Sequence, residues 1–109
     1  MEKKKNKNDL VIKQFLIYLV SDKFVHITDI MTEIRAIKGV ITVSVFEPTR
    51  SLDENTHFTK LRLKFLQFSE IIDENIKELK RDISRINGVK SIIMKIKKSD
   101  IMQNTQARG

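Results

Sequence analysis

The sequence predicts an α+β fold of six elements in the order β-α-β-β-α-β, with a four-stranded antiparallel sheet and two helices on one of its faces. The first observation behind this is a repeat: the pattern from Ile34 to Val45 recurs from Ile83 to Met94, 49 residues later. Each copy has apolar residues at helical spacing, then a glycine, then apolar residues at alternate positions. The second observation is an apolar stretch before each copy, which supplies the two other strands that a sheet requires.

The first strand is predicted over residues 10–20, where nearly every residue is apolar. Alternate side chains of a strand point to opposite faces of its sheet. One set can therefore face the helices, while the other set leaves an apolar stripe on the open face. The sequence does not choose between Phe15, Ile17 and Leu19 as the outward set and Leu16, Tyr18 and Val20 as the outward set.

Two helices are predicted from apolar residues that recur at steps of mainly three or four and so share one face. Thr28 or Asp29 is the expected N-cap of the first helix, and Ser69 that of the second. Gly39 and Gly88 are expected to end the helices in the left-handed conformation at C′. The apolar residues are Ile27, Ile30, Met31, Ile34 and Ile37 in the first helix, and Ile72, Ile76, Leu79, Ile83 and Ile86 in the second.

The second and fourth strands are predicted to follow Gly39 and Gly88, and the third strand to cover residues 58–68. Residues 47–57, which include Pro48, are longer than a tight hairpin requires, so a flexible hairpin tip is expected there. Right-handed crossovers then give the ferredoxin-like βαββαβ sandwich. Its predicted core contains Val40, Val43, Val45, Leu61, Leu63, Phe65, Ile92 and Met94, covered by Ile30, Ile34, Ile37, Ile76, Leu79 and Ile83.

The chain of 109 residues has room for one domain, predicted over residues 9–98. A basic tail at 1–8 and a second tail at 99–109 are expected to be disordered, because they lack periodic apolar residues. The formal net charge is +7, and residues 1–8 contribute four lysines and one glutamate to it. A solvated tail and an anchor for nucleic acid or another anionic surface are the two interpretations of this lysine run.

The sequence has no stretch of about 18 apolar residues, so neither a membrane-spanning helix nor a membrane partner is predicted. The apolar run at 10–20 follows lysines, as in a signal peptide, but no small-residue cleavage site follows it. A cytoplasmic protein is therefore expected, or a virion-associated one if a phage encodes it. The absence of cysteine excludes disulfides, thiol nucleophiles and cysteine-based metal sites.

Residues that commonly carry catalysis are present but are not arranged in a recognisable pattern. The two histidines, His26 and His57, lie at separate element boundaries, whereas a metal site needs several convergent ligands. Gly39 and Gly88 are isolated, so no glycine-rich phosphate loop exists. The sequence therefore predicts no catalytic residues, no cofactor and no metal, and we expect a protein that is not an enzyme.

The Gly-Val pattern followed by alternating apolar residues resembles three kinds of small ferredoxin-like domain. These are ACT regulatory domains, heavy-metal-associated domains, and the exchange domain of translation elongation factor one beta. The resemblance covers residues 9–98 and implies the fold. The stretch from Ile37 to Pro48, together with Leu63-x-Phe65-Leu66, is also similar to small proteins of marine phage or metagenomic origin.

The functional motifs of these families are absent from this chain. A heavy-metal-associated domain has a Cys-x-x-Cys loop, and this chain has no cysteine. An ACT domain has an Asp-x-Pro-Gly-like turn after its first strand, where residues 21–24 read Ser-Asp-Lys-Phe. An RNA-recognition domain has aromatic residues on its third strand, where the outward residues here are Lys60, Arg62 and Lys64.

The first functional hypothesis is a non-enzymatic protein-interaction or structural module that self-associates through its open sheet face, as a dimer or a larger homo-oligomer. An apolar stripe within a polar face would favour a partner, and a second copy is the commonest one. The candidate interaction face is formed by Phe46, Lys60, Arg62, Lys64, Ile93 and Lys95.

Two alternatives remain open. The alternate basic residues of the third strand and the basic tails indicate a module that binds RNA or single-stranded DNA. Tyr18 and Phe46 are the stacking aromatics that this hypothesis identifies. A small-ligand regulatory domain of the ACT type is the second alternative, and it would bind its ligand near the loop after the first strand.

Overall fold

The six elements of the computed structural model, which describes residues 9–96, follow one another in the predicted order. The predicted tails at 1–8 and 99–109, and residues 97–98 of the predicted domain, lie outside the described residues. The elements are β1 (Leu10–Asp22), α1 (Ile27–Arg35), β2 (Val40–Ser51), β3 (Thr56–Phe68), α2 (Ile72–Ser84) and β4 (Val89–Ile96).

The strands form one antiparallel sheet in the order β2-β3-β1-β4, which confirms the predicted α+β, ferredoxin-like fold. β1 pairs with β3 along its whole length, from Leu10 opposite Phe68 to Asp22 opposite Thr56. On its other side β1 pairs with the shorter β4. Both helices pack into the same cluster of buried residues, so they cover one face of this sheet and leave the other open.

The register of β1 decides which of its apolar sets faces the helices. Phe15, Ile17 and Leu19 are no more than 1% exposed and belong to the core. The alternate set, namely Leu16, Tyr18 and Val20, is half-buried and lies on the open face. β1 thus contributes apolar side chains to both faces, as a strand at the centre of a sheet can do.

Most of the predicted core is buried or packs against buried residues, but Val45 is 42% exposed, and its assignment to the core was wrong. Val45 lies on the edge strand β2, next to a register shift between Val45 and Glu47. α1 has nine residues, which is a length of about 13 Å. At the beginning of β2, Val43 belongs to the core cluster and Val40 packs against it.

The connection between β2 and β3 is shorter than predicted, because both strands extend into the expected loop. β2 continues to Ser51 and β3 begins at Thr56, so residues 52–55 form the turn. Asp53 Oδ1 accepts hydrogen bonds from Asn55 N at 2.8 Å and from Thr56 N and Oγ1, each at 2.9 Å. The bond from the Asn55 amide, followed by the one from the Thr56 hydroxyl, lowers the pKa of Asp53 below its ordinary value.

The predicted helix caps were wrong, because the helices begin at other residues. His26 is the N-cap of α1, and Ile71 that of α2, and neither makes a side-chain capping hydrogen bond. Thr28 and Asp29 fall inside the first turn of α1, while Ser69 precedes the N-cap of α2. Carboxylates in the first turns, such as Asp29, still stabilise the helices through the helix dipole.

The two glycines have the predicted positive φ angles, +97° at Gly39 and +95° at Gly88. They are the third residues of β-turns and do not occupy C′. Val40 N donates to Ile37 O at 3.1 Å, and the second copy of the repeat has the same bond, at 3.0 Å. A positive φ at the third turn residue favours glycine. A Cβ atom would also lie 2.7 Å from Phe65 Cε1 at Gly39, and 2.8 Å from the Val25 side chain at Gly88.

The assignment of the core can be tested by replacing one buried isoleucine and one exposed isoleucine. Ile34 is fully buried, whereas Ile41 is 44% exposed. Ile34→Ala should lower the free energy of unfolding by about 2–5 kcal/mol, because it leaves a cavity under α1. Ile41→Ala, the matched control, should cost much less when both are measured by urea denaturation. Equal losses would show that α1 does not cover the core as described.

The turn geometry predicts that Gly39→Ala and Gly88→Ala each lower the free energy of unfolding by at least about 1 kcal/mol, since an L-residue is strained at positive φ and its Cβ collides with a neighbour. Asn87→Ala, at the exposed residue before Gly88, is the control and should change stability little. Urea denaturation measures all three variants. Glycine variants as stable as the parent would contradict the turn assignment.

Candidate functional site

The open face of the sheet collects most of the predicted interaction residues around the central strand. Tyr18 on β1 lies opposite Lys60 on β3 and opposite Ile93 on β4. Leu16, two residues earlier on the same face, lies opposite Arg62 and Lys95. The register of three strands therefore gathers side chains that are up to 79 residues apart in the chain, from Leu16 to Lys95.

Phe46 and Lys64, the two other predicted residues, lie on the same face. Lys64 is exposed and pairs with Gln14, which shares the face of Leu16. Phe46 lies on the edge strand β2, at the register shift after Val45, and its ring lies under the guanidinium group of Arg62. The structure thus places all six predicted residues on the open face, although it does not test their role.

Basic side chains and aromatic rings of the open face lie against each other. Tyr18 has the Nζ atoms of Lys60 and Lys95 each 5.3 Å from its ring centroid. The Arg62 guanidinium carbon is 4.7 Å from the ring centroid of Phe46. Cations within about 6 Å of a ring centroid are attracted by the electron-rich ring face. These contacts hold the basic groups over the sheet, away from the helices.

Arg50 and Phe58 belong to the same arrangement and were missed from the sequence. The rings of Tyr18 and Phe58 meet edge to face, with 6.2 Å between centroids, and the Arg50 guanidinium carbon is 5.2 Å from the Phe58 centroid. The sequence predicts a loop at Arg50, whereas β2 continues through this residue. Phe58 shares the alternation of Lys60, so its position in the predicted third strand could have identified it.

The open face carries more positive than negative charge. Its carboxylates are Glu47 on the edge strand and Asp22 at the end of β1. Glu47 Oε1 lies 3.3 Å from Lys60 Nζ, and Asp22 accepts a hydrogen bond from the backbone of Phe24. The face is therefore suited to an anionic partner. Its basic residues are Arg50, Lys60, Arg62, Lys64 and Lys95.

One end of the open face is apolar instead of basic. Leu10 pairs with Phe68 across β1 and β3, and these residues are 57% and 44% exposed. Ile12, the next outward residue of β1, is 58% exposed. The apolar stripe expected in the middle of the face, around Tyr18, is half-buried beneath basic side chains. We call this group of exposed apolar residues, namely Leu10, Ile12 and Phe68, the apolar end.

A groove of about 330 Å³ lies between the turn after α1, the end of β3 and α2, and Phe68 of the apolar end also lines it. Phe65, Ile37 and Leu79 are among its lining residues, and Glu78 and Asp82 lie beside them. Within residues 9–96, no three histidine, aspartate or glutamate side chains converge to hold a metal ion. None of the helices in that range has the length and apolar composition needed to cross a membrane.

No protein-family model matches the chain, and no curated protein shows significant similarity to it. The resemblances to ferredoxin-like families and to proteins of phage or metagenomic origin therefore remain predictions, and the geometry of the open face is the basis for a functional proposal.

Proposed function

We propose that this protein is a non-enzymatic binding module that holds single-stranded nucleic acid, either RNA or DNA, on its open sheet face. One observation supports the proposal most directly. The aromatic residues Tyr18, Phe46 and Phe58 of this face each lie next to a basic side chain of the same face. Single-stranded nucleic acid offers flat bases and charged phosphates in alternation, and it is bound by surfaces that combine aromatic rings with cations.

The arrangement around Tyr18 shows how one nucleotide would be held. A base stacks on an aromatic ring, while the adjacent phosphate pairs with a lysine. Lys60 and Lys95 have long, flexible stems, so their ammonium groups can move from the ring to a phosphate without a change in the sheet. Stacking on aromatic rings and contacts to phosphates distinguish the bases little, and we therefore expect binding with little sequence preference.

The charge of the open face also bears on the hypothesis of self-association. A symmetric dimer brings the same surface of two copies together. Pairing the basic part of two open faces would bring Lys60, Arg62 and Lys95 close to their own copies, and like charges repel. An anionic partner avoids this repulsion, so nucleic acid is favoured over a second copy at this part of the face.

Self-association remains a second candidate function, at the apolar end of the open face. Leu10, Ile12 and Phe68 expose apolar side chains next to each other, and none of them is charged. Burying them against a second copy would remove apolar surface from water without bringing the basic residues together. The two functions involve different residues, so they can be tested separately.

Nucleic-acid binding predicts a loss of affinity when the charge of the open face is reversed. The full chain would be titrated against a fluorescent oligothymidylate, with anisotropy as the readout. The triple variant Lys60→Glu, Arg62→Glu, Lys64→Glu should bind at least about tenfold more weakly. For about four phosphate contacts, the parent should lose roughly 50-fold in affinity between about 50 and 200 mM salt.

The matched control makes the same change of charge on the exposed side of α2. It is the triple variant Lys77→Glu, Lys80→Glu, Arg81→Glu, whose three residues are exposed. Both triple variants keep the lysines of residues 1–8, and circular dichroism checks that both are folded. Retained affinity in the control, with loss in the first variant, would support the open face. Equal affinities in the two variants, or no binding by the parent, would overturn the proposal.

Self-association predicts that the parent sediments as a dimer or larger species at high concentration and that Ile12→Asp sediments as a monomer. Ile12 is 58% exposed, and burying a new carboxylate at an interface is costly. Ile93→Asp is the matched control, because Ile93 is 56% exposed but lies away from the apolar end. A monomer mass for the parent at every concentration would contradict this second function.

A further inference from the structure

Arg62 occupies the centre of the open face and has an unsatisfied donor. It pairs with Leu16 on β1 and with Ser44 on the edge strand β2. Its Nε atom is buried and makes no hydrogen bond. Buried polar groups normally have a partner, and an unpaired N–H of a charged group raises the free energy of the protein. An acceptor that reaches this atom would therefore be bound favourably.

The Phe46 ring lies against the guanidinium group of Arg62. The Phe46 ring centroid is 4.7 Å from the guanidinium carbon, and the ring is attracted to the cation. Phe46 is 42% exposed and lies at a register shift of the edge strand, outside the core. Its ring can therefore turn away from Arg62 with little loss of buried apolar contact, which would open space beside the guanidinium group.

The acceptor that fits the guanidinium group of Arg62 is a phosphate group. A guanidinium presents Nε–H and an adjacent N–H in parallel, and phosphate oxygens accept both. Glu47, a carboxylate of the same face, already pairs with Lys60 at 3.3 Å. We propose that Arg62 anchors one phosphodiester of the bound strand through Nε and an adjacent guanidinium N–H, after Phe46 has turned aside. This inference rests on the proposed function.

The same movement makes Phe46 available for stacking. While its ring lies under Arg62, one ring face is occupied by the guanidinium group. Once Arg62 has paired with a phosphate, that ring face is free to stack on the neighbouring base. Arg62 and Phe46 thus act as a pair in which one anchors the phosphate and the other contacts the base.

The test exchanges Arg62 for a residue with the same charge but without the paired donors. Arg62→Lys should weaken binding of oligothymidylate about tenfold, while the salt dependence stays as in the parent. Lys64→Ala, the control on the same strand, removes a charge. It should lower the slope of log affinity against log salt by about 0.7, with a smaller loss of affinity. Circular dichroism confirms that both variants are folded.

A second measurement follows the Nε–H proton itself in protein labelled with ¹⁵N-arginine. Adding oligothymidylate should shift the Arg62 Nε–H signal strongly, and inorganic phosphate should shift it weakly at the same site. Phe46→Ala should speed exchange of this proton with water in the free protein, because it removes the ring that lies against the guanidinium group. These readouts report on Arg62 directly and not on total affinity.

The outcomes separate this inference from the proposed function. If the parent binds oligothymidylate but Arg62→Lys binds equally well and the Nε–H signal does not move, the anchor is overturned while the open face remains the binding surface. If the parent does not bind oligothymidylate, both are overturned. A tenfold loss in Arg62→Lys, together with a shifted Nε–H signal, would support the anchor.

Discussion

β1 is the strand on which the rest of the sheet depends, because it has neighbours on both sides and apolar side chains on both faces. Phe15, Ile17 and Leu19 fill the space under the helices. Burial of these three residues fixes the register, since a shift of one residue would expose them and bury the other set. The pairings with β3 and β4 then place Lys60, Arg62 and Lys95 around Tyr18 and Leu16. The packing of the core thus determines which side chains lie next to each other on the open face.

The open face shows how half-buried apolar residues can be covered without a second layer of helices. Lys60 and Lys95 extend over the Tyr18 ring, and Arg62 lies over Phe46. Long basic side chains cover apolar surface with their stems while their charged ends stay in water. The charged ends of these side chains also attract anions. The same residues can therefore cover apolar surface in the free protein and attract an anionic group.

The repeat made much of the fold predictable. The last residues of the two helices, Arg35 and Ser84, are separated by the offset of the repeat. The first residues of the strands that follow, Val40 and Val89, have the same separation. Alternation also predicted the outward residues of the sheet, because a two-residue period is visible in the sequence. The register of β1 was not predictable, since both of its sets are apolar and only packing under the helices distinguishes them.

Features that interrupt the regular spacing of apolar residues were not predicted from the sequence. The register shifts in β2 allow the strand to continue past Pro48, so Arg50 joins the open face where a loop had been expected. The beginning of α1 at Ile27 was also not predicted, because no side-chain cap marks it in the sequence. The contact between Phe58 and Tyr18 joins residues that are distant in the chain, and it depends on the strand pairing, which places Phe58 opposite Val20, two residues after Tyr18.

The irregular course of β2 has a consequence for how copies of this protein can join. β2 is one of the two edges of the sheet, and it carries Pro48 and shifts register three times along its pairing with β3. A proline lacks the backbone N–H, and bulges twist an edge away from a straight partner. Strand-to-strand contact between copies is therefore hindered at β2, whereas β4, the other edge of the sheet within residues 9–96, has a single register shift in its pairing with β1. Contact of this kind is thus disfavoured at one of these two edges, and this works against the continuous addition of copies into a fibre.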